Sequence, residues 1–469
     1  MFDEDLIENF GHKYAGLVVL EQLADELDFK TPKPIWSPGF SLWKQILERK
    51  GDELREYVNA NIARKELSDI TQQMRIDGRG DKIDEMYGEE VRSIKKRLKR
   101  IDEDVTTLPK DLDALCARQI AELPGDEITL RSSMSCEDHK DNIFAGQFSS
   151  VWVYRDDFCW DTPVSYFIHE NLHVLIDAKM GVDDVEMNFI AQPGVTFETG
   201  GVVFSKLPGT DITLIEVSDK GPRMVTMGDA ADVIDIQNNE IVYVSGRKSK
   251  YSWRTPRKDF PGSPKFNING EDVCIDQDQA KEVARISNAL ESKLGFPVNV
   301  EFGYSEGTLY LLQVRPTPSF NDKIEPITTD PLIKSYFTLS PGRAIGRIIE
   351  LPGHWNTTAI LRQFEERFPG EDYFVTGRTL DFTEQFSRIS EAHPHVKGIL
   401  RTGADGSRVG HDSINLRQSG ILFLAFHGRP NELDSLLNNG FNFEDHQVKF
   451  SYPVIGYSDG YRGGIYSVE

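Results

Sequence analysis

The sequence predicts an α/β protein of the α+β kind, with short strands around one long helical region. Segments 299–302 and 309–316 alternate apolar and polar residues on either side of Ser305-Glu306-Gly307, which is typical of a β-hairpin. Residues 42 to about 123 are strongly charged and have helical periodicity. Residues 319–334 are rich in Pro, Asp and Thr and predict a semi-rigid linker between two domains.

Composition and charge narrow the class of protein. The chain has 469 residues, 39% hydrophobic and 27% charged, which is typical of a soluble globular protein of about two to four domains. A net charge of −22 argues against nucleic acid and against an anionic membrane surface as partners.

The four cysteines and the apolar segments indicate the compartment. The cysteines form no Cys-x-x-Cys pair, which favours a reducing environment. The acidic amino terminus has no apolar run behind it, and no stretch approaches the roughly 18 apolar residues of a membrane span. We therefore expect a cytoplasmic protein without a signal peptide.

The predicted hairpin carries the first candidate site. Glu301, Gln313 and Arg315 can project from one of its faces, because residues two apart in a strand share a side. A carboxylate and an amide oxygen suit a hard cation, and a guanidinium is a planar fork of donors for phosphate oxygens. The trio therefore indicates a site for Mg²⁺ and a polyphosphate.

Two further cationic side chains, Lys13 and Arg131, stand at positions where proteins commonly bind phosphate. Lys13 follows Gly11 at the opening of a predicted helix, where the helix dipole and the ammonium both favour an anion. Arg131 ends an alternating strand and is followed by Ser132 and Ser133, which add hydroxyl groups at the mouth of a sheet.

Residues 169–173 have a pattern that suggests a different chemistry, that of a zinc site. His169, Glu170 and His173 have the His-Glu-x-x-His spacing of zinc peptidases, which puts both imidazoles on one helix face. The surrounding residues are mostly apolar and predict a buried helix that packs on a sheet, and no obvious third ligand follows. A zinc peptidase therefore remains a competing hypothesis.

The hairpin and the Arg-Ser-Ser segment resemble the pyruvate phosphate dikinase and phosphoenolpyruvate synthase family. In that family the nucleotide-binding domain ends with Asp-x-Glu and then Gln-x-Arg-Pro. Asn299, Glu301, Gln313 and Arg315 stand at these positions here, with Asn in place of the first acid. The family also has Arg-Ser-Ser, Glu-Asp and Phe-Ala-Gly-Gln, which match residues 131–133, 137–138 and 144–147.

The resemblance continues into the last part of the chain. Residues 340–346 match the start of the family's mobile phosphohistidine domain, and residues 406–421 match its reactive segment. His411 stands at the position of the reactive histidine, while Val409 and Gly410 replace Thr and Ser. The resemblance implies an ATP-grasp-type nucleotide domain at 1–318 and a swivelling phosphohistidine domain at 335–469, joined by the linker.

The resemblance also implies a role for each candidate residue. Lys13, Arg131 and Arg315 would hold the polyphosphate, with Gln192 and Glu216 at the nucleotide. Mg²⁺ would be held by Glu301, Gln313 and Asn299. His411 would attack the β-phosphorus of ATP, release AMP and pass the phosphoryl group to an acceptor.

The acceptor is not named by the sequence. The family's pyruvate-binding barrel has no counterpart in these residues, so we expect phosphorylation of a small molecule. One alternative is a split phosphoenolpyruvate synthase with the acceptor domain on a separate protein. Another, suggested by Asn299 and Val409, is a nucleotide-binding module without catalysis.

Overall fold

The structure is a computed structural model that divides the chain into two compact units. The first unit comprises Met1–Thr196 and Thr308–Arg315, and the second comprises Phe197–Gly307 and Pro316–Glu469. The structure describes residues 3–76, 82–98, 108–137, 148, 150–155, 163–207, 210–222, 225, 231–246, 266–317, 331–334, 337–340, 342–351, 357–376, 393–402, 422–426, 433, 435–443, 446–458 and 463–468.

The first unit combines six helices of its described residues with a small sheet. The helices are α1 (Glu4–Phe10), α2 (His12–Leu27), α3 (Phe40–Ile76), α4 (Ile83–Leu98), α5 (Lys110–Ala121) and α6 (Pro163–Asp177). The strands β1 (Glu127–Ser132), β2 (Val151–Tyr154) and β3 (Phe189–Pro193) pair in the antiparallel order β2-β1-β3. Helices α3, α4 and α5 cover most of the described residues of the predicted helical region, 42–123, although α3 begins earlier, at Phe40.

One face of this sheet forms the core of the first unit. The alternation of β1 turns Ile128 and Leu130 to that side, where they join a buried cluster with residues of α3, α5 and α6. Helix α6 contributes Phe167, Leu172 and Leu175 to the cluster. Burial of so many apolar side chains is the main stabilising contribution to this unit. The opposite face of β1 is left to polar residues, including Arg131.

The second unit contains an antiparallel sheet backed by one helix. Strands β4 (Thr199–Phe204), β5 (Thr213–Ser218), β6 (Asp232–Gln237), β7 (Glu240–Ser245) and β10 (Val298–Ser305) pair in the order β10-β4-β5-β6-β7. Helix α7 (Gln277–Leu294) packs on this sheet. A two-stranded ribbon, β8 (Phe266–Ile268) with β9 (Glu271–Val273), lies between β7 and α7 in the chain.

Local sequence signals define α7. Asp276 accepts a hydrogen bond from the backbone N–H of Gln279, whose side chain binds the backbone N–H of Asp276, so the helix begins at a capping box. Gly295 ends it with φ of 79°, a left-handed conformation that glycine adopts without steric cost. Val283, Ser287 and Leu290, three or four residues apart, are buried and form the face toward the sheet.

The last part of the second unit is organised around a mixed sheet. Its strands are β12 (Ile333–Lys334), β13 (Phe337–Ser340), β14 (Gly342–Glu350), β15 (Tyr373–Thr376), β16 (Val396–Thr402), β17 (Leu422–Phe426), β18 (Asn439–Phe443), β19 (His446–Ser458) and β20 (Gly463–Ser467). The order is β12-β20-β19-β14-β15-β16-β17-β13, with β18 beside β19. Strands β14 to β17 are parallel, and α8 (Thr357–Arg367) connects β14 to β15.

The predicted hairpin segments form β10 and β11 (Thr308–Pro316), joined by Glu306 and Gly307. Both joining residues have positive φ, of 50° and 72°, as a tight two-residue turn requires. Most of the predicted linker, 319–334, lies outside the described residues, and its end contains β12. In the part of the chain that is described, no helix is long and apolar enough to cross a membrane.

Candidate functional site

Lys13 lies in the first turn of α2 and is almost fully buried. Its Nζ lies 3.1 Å from Oε1 of Glu137 and 3.0 Å from Oγ of Ser132. Lys13 is 8% exposed and Glu137 is 1% exposed, so water screens this ion pair weakly. The predicted position of Lys13 at the beginning of a helix is confirmed.

The beginning of α2 is fixed by Ser133, which follows β1. Its hydroxyl donates to the carbonyl of Phe10 at 2.6 Å and accepts from the N–H of Tyr14 at 3.3 Å. Gly11 has φ of 88°, and a Cβ there would lie 2.6 Å from Oγ of Ser133. Glycine is therefore required at this position both by the conformation and by the close approach of Ser133. These contacts attach Lys13 to the end of the strand that carries Arg131.

Arg131 is held by β11. One terminal nitrogen donates to the carbonyl oxygen of Leu312 at 2.6 Å, and the other donates to Oε1 of Gln313 at 2.7 Å. Arg131, Gln313 and Arg315 are each less than a tenth exposed. Gln313 and Arg315 are two residues apart in β11 and therefore point to the same side. The first unit thus carries three buried cationic side chains: Lys13 on α2, Arg131 on β1 and Arg315 on β11.

Helix α2 and strand β11 approach each other unusually closely. A Cβ built on Gly16 would lie 2.7 Å from the carbonyl oxygen of Val314, a distance that real Cβ atoms do not tolerate. Glycine at position 16 therefore allows the helix to lie directly against the backbone of β11. The approach ties the element that carries Lys13 to the element that carries Gln313 and Arg315.

Gln192 lies in β3 on the face of the sheet that carries Arg131. It pairs with Thr129 of β1, and Arg131 pairs with Ile190 of β3, so all four residues alternate onto the same side. Gln192 is 4% exposed, and its Oε1 has no hydrogen-bond partner within the part of the chain that the structure describes. An amide group buried in this way is available to a polar ligand.

The second unit carries the remaining predicted side chains on one face of its sheet. Glu301 of β10 pairs with Val202 of β4, and Val202 pairs with Glu216 of β5, so both carboxylates flank one valine. Glu216 is fully buried, and Glu301 is partly exposed. A Cβ on Gly201 would clash with the backbone carbonyl oxygen of Glu216, so glycine permits close strand pairing here.

Asn299 lies on the same face of β10, two residues before Glu301. It is 1% exposed, and neither Oδ1 nor Nδ2 finds a partner among the described residues. Leaving both polar atoms of a buried amide unpaired costs free energy, about 1–3 kcal/mol for each group. A cation or a polar ligand at this position would offset that cost, so Asn299 and Glu301 fit oxygen ligands of Mg²⁺.

Two neighbouring groups have perturbed acidity. Burial, reinforced by the charge of Glu137, raises the pKa of the Cys136 thiol to about 12. Burial, together with the charge of Glu21, also raises the pKa of Tyr14. Both groups are therefore neutral near pH 7, so neither supplies an anion beside the cations of the first unit.

Comparison with known proteins decides the family. Residues 50–332, more than half of the chain, match the family described as "Pyruvate phosphate dikinase, AMP/ATP-binding domain". The chain belongs to this family. The matched range contains every candidate residue of β1, β3, β5, β10 and β11, so an ATP-grasp-type nucleotide-binding domain is present, as predicted. Lys13 precedes the matched range and His411 follows it.

Relatives of this AMP/ATP-binding domain are similar over part of their length. An uncharacterized phosphotransferase, YvkC of Bacillus subtilis, is 24% identical over 40% of this chain and 24% of the relative. Two proteins named "probable phosphoenolpyruvate synthase" are each 26% identical. The one from Methanocaldococcus jannaschii aligns over 54% of this chain and 23% of the relative, and the one from Methanothermobacter thermautotrophicus over 53% and 38%. The chain thus spans well under half the length of these relatives.

Among solved structures, D-alanine-D-alanine ligase from Helicobacter pylori is similar over 48% of this chain and 61% of the ligase. It is 12% identical, and the TM-score is 0.20.

The zinc hypothesis gains no support from the geometry. His169 and His173 lie on α6 with ring centroids 4.9 Å apart, and His173 is exposed. Within the described ranges, no group of three or more His, Cys, Asp or Glu side chains could hold a metal ion. Most of the surrounding apolar residues are buried as predicted, but Tyr166 is 38% exposed because it lies on the outer face of the helix.

The remaining predicted groups divide into two sets. His411, its neighbours Val409 and Gly410, and the Phe-Ala-Gly-Gln segment lie outside the described residues. Glu301 and Asn299 belong to the second unit and Gln313 to the first, so their convergence on Mg²⁺ stays a prediction. Glu137 was missed as part of the site, although it stands in the matched Glu-Asp pair, because nothing in the sequence links it to Lys13.

Proposed function

We propose that the protein is an ATP-dependent phosphotransferase of dikinase type that forms AMP and phosphate through a phosphohistidine on His411. The observation that carries the proposal is the buried group of cationic side chains of the first unit, Lys13, Arg131 and Arg315. Arg131 and Arg315 lie within the matched AMP/ATP-binding domain, and Lys13 precedes the matched range. Buried cationic side chains are suited to phosphate oxygens, whose charge grows during phosphoryl transfer.

In the proposed reaction, an imidazole nitrogen of His411 forms a bond to the β-phosphorus. The bond between that phosphorus and the bridging oxygen breaks, and its electron pair leaves with AMP. Water or phosphate then takes the γ-phosphoryl group, and the phosphohistidine transfers the β-phosphoryl group to an acceptor. The chain's own contribution is to position and stabilise charge, which is the main requirement in such transfers.

Lys13, Arg131 and Arg315 would bind the polyphosphate, and Gln192 and Glu216 would contact the nucleoside. Glu301, Asn299 and Gln313 would hold Mg²⁺, which supplies charge neutralisation between phosphate oxygens. The unpaired atoms of Asn299 and Gln192 support these assignments, because a ligand would satisfy them. Oε1 of Gln313 accepts from Arg131, and this hydrogen bond would fix the amide group that is proposed to contact the cation.

We propose a small molecule as the acceptor. The names of the two archaeal relatives make pyruvate the first compound to test, either with this chain alone or with a separate acceptor-domain protein. Domain boundaries at 318 and 335 fit this scheme, because a swivelling domain would carry His411 between ATP and the acceptor.

The proposal is tested by incubating the protein with Mg²⁺ and ATP, quantifying AMP and phosphate, and mapping acid-labile phosphate by mass spectrometry. His411→Ala is expected to abolish the modification and AMP formation while ATP binding remains. ATP binding without AMP in the unsubstituted protein, under every metal tried, would leave a nucleotide-binding module. Stoichiometric zinc with peptidase activity lost in His169→Ala would favour the alternative on α6.

A further inference from the structure

The ammonium of Lys13 is held in a defined orientation by two protein groups. An ammonium carries three N–H donors, and here two of them are directed to Oε1 of Glu137 and Oγ of Ser132. Within the described part of the chain no further acceptor of this ammonium is found. A flexible lysine side chain loses conformational entropy when it is fixed in this way. Because Lys13 is already fixed by these contacts, this entropy is lost before any ligand binds.

Glu137 is itself immobilised on both carboxylate oxygens. Oε2 accepts from the backbone N–H of Met134 at 3.0 Å, and Oε1 accepts from the hydroxyl of Ser132 at 2.7 Å. The backbone N–H of Glu137 donates to the carbonyl of Met134, which closes a short turn after β1. The carboxylate is therefore a rigid acceptor that cannot follow Lys13 if the lysine moves.

We propose that Glu137, assisted by Ser132, is a positioning residue that orients the ammonium of Lys13 so that its third N–H points to a nucleotide phosphate. This inference rests on the proposed function of the first unit as the phosphate-binding part. It assigns Glu137 no contact with the nucleotide. Preorganised donors bind and stabilise phosphate more strongly, because they need not be reordered at the moment of binding.

Charge alone predicts the opposite effect of removing this carboxylate. A negative group so close to Lys13 repels a polyphosphate, so its neutralisation in Glu137→Gln would tighten binding if electrostatics decided the outcome. Positioning predicts weaker binding instead, because Lys13 is then free to adopt other rotamers. The sign of the change therefore separates the two roles.

The test is a double-mutant cycle with α,β-methylene-ATP and Mg²⁺, an analogue that is not cleaved at the bond broken in the proposed reaction. Dissociation constants are measured by titration calorimetry for the unsubstituted protein, Glu137→Gln, Lys13→Met and the double variant. We expect Glu137→Gln to weaken binding about tenfold in the presence of Lys13 and less than about twofold in its absence. Asp113→Asn, which neutralises another buried carboxylate of the same unit, is the control and should leave the affinity unchanged.

Binding that is equal or tighter in Glu137→Gln overturns the proposal, and so does an equal loss with and without Lys13. If Glu137→Gln fails to fold, Ser132→Ala decides: we expect about threefold weaker binding that disappears in the Lys13→Met background. Failure of the unsubstituted protein to bind the analogue would contradict the proposed function instead, so the two failures are distinguishable.

Discussion

Nζ of Lys13 lies 3.1 Å from Oε1 of Glu137, although the two residues are 124 positions apart in the sequence. The pair joins the first turn of α2 to the turn that follows β1. Because both side chains are buried, each charge depends on the other for compensation. The contact therefore links the stability of the first unit to its candidate chemistry.

Lys13→Met is expected to destabilise the first unit by about 3 kcal/mol, because it leaves the carboxylate of Glu137 buried without its counter-charge. Combining it with Glu137→Gln should recover part of this loss, since the remaining amide carries no charge. Urea denaturation of both variants measures the difference. If Lys13→Met were as stable as the unsubstituted protein, the ion pair of Lys13 with Glu137 would contribute nothing to stability.

Arg131→Lys is expected to weaken ATP binding by tenfold or more. A lysine keeps the positive charge but is shorter and has one nitrogen in place of the two terminal nitrogens that donate to the carbonyl of Leu312 and the amide of Gln313, so its charge is no longer fixed. Calorimetric titration with ATP measures the effect. Unchanged affinity would mean that charge without the guanidinium geometry is sufficient.

Gly16→Ala is expected to destabilise the protein by about 1–3 kcal/mol, because the added methyl group would lie 2.7 Å from the carbonyl oxygen of Val314. Gly88→Ala in α4 is the matched control. There the new Cβ meets only the flexible guanidinium of Arg92 at 3.3 Å, so alanine should stabilise the helix by up to about 1 kcal/mol. Thermal denaturation should shift in opposite directions, and a parallel shift would rule out the close approach of α2 to β11.

Substitution of Asn299 tests whether its unpaired amide serves a cation. Asn299→Leu should raise the thermal midpoint without metal, because it removes two buried polar atoms that lack partners in the described chain. Asn299→Asp should lower the midpoint without metal, and Mg²⁺ should restore it by more than in the unsubstituted protein. If Mg²⁺ leaves the midpoint of Asn299→Asp unchanged, the amide position is not a metal site.

Asp113 predicts a specific pH dependence of stability. Burial raises the pKa of this carboxyl above its ordinary value, and the hydrogen bond from Ser165 opposes the shift only in part. The folded state therefore holds the proton more tightly, so the stabilising contribution is complete below the ordinary pKa and is lost as pH rises through the raised value. Relative to Asp113→Asn, the unsubstituted protein should be less stable at pH 7 than at about pH 3.5 in urea denaturation. A difference that is independent of pH would contradict the raised pKa.

Individual helices and strands of this chain can be predicted from the sequence, because the patterns that define them lie within short segments. The alternation around Glu306 and Gly307 predicts β10 and β11, and apolar periodicity after Gly11 predicts α2. The choice of Lys13 and Arg131 as phosphate ligands came from motifs, and the structure gives both a buried position near the start of α2 and in β1.

The contacts among these residues were not accessible from sequence. The sequence predicts that Gln313 binds metal, but no pattern in it shows that its amide oxygen accepts a hydrogen bond from Arg131, 182 positions away. Such a pairing is set by the packing of α2, β1 and β11, which no short pattern records. Glu137 escaped notice for the same reason, since an acid in a loop has no periodicity to reveal its partner.

The contacts of Ser133 limit how the part of the first unit that is proposed to bind phosphate can move. Its hydroxyl bridges two backbone groups at the junction of α1 and α2, and Asn188 adds a second hydrogen bond to the same Phe10 carbonyl at 2.8 Å. Helix α2 therefore cannot hinge away from β1 without breaking three hydrogen bonds together. If these residues bind a nucleotide as proposed, Lys13 and Arg131 would move as one body, and an opening that admits or releases the nucleotide would occur at another place in the chain.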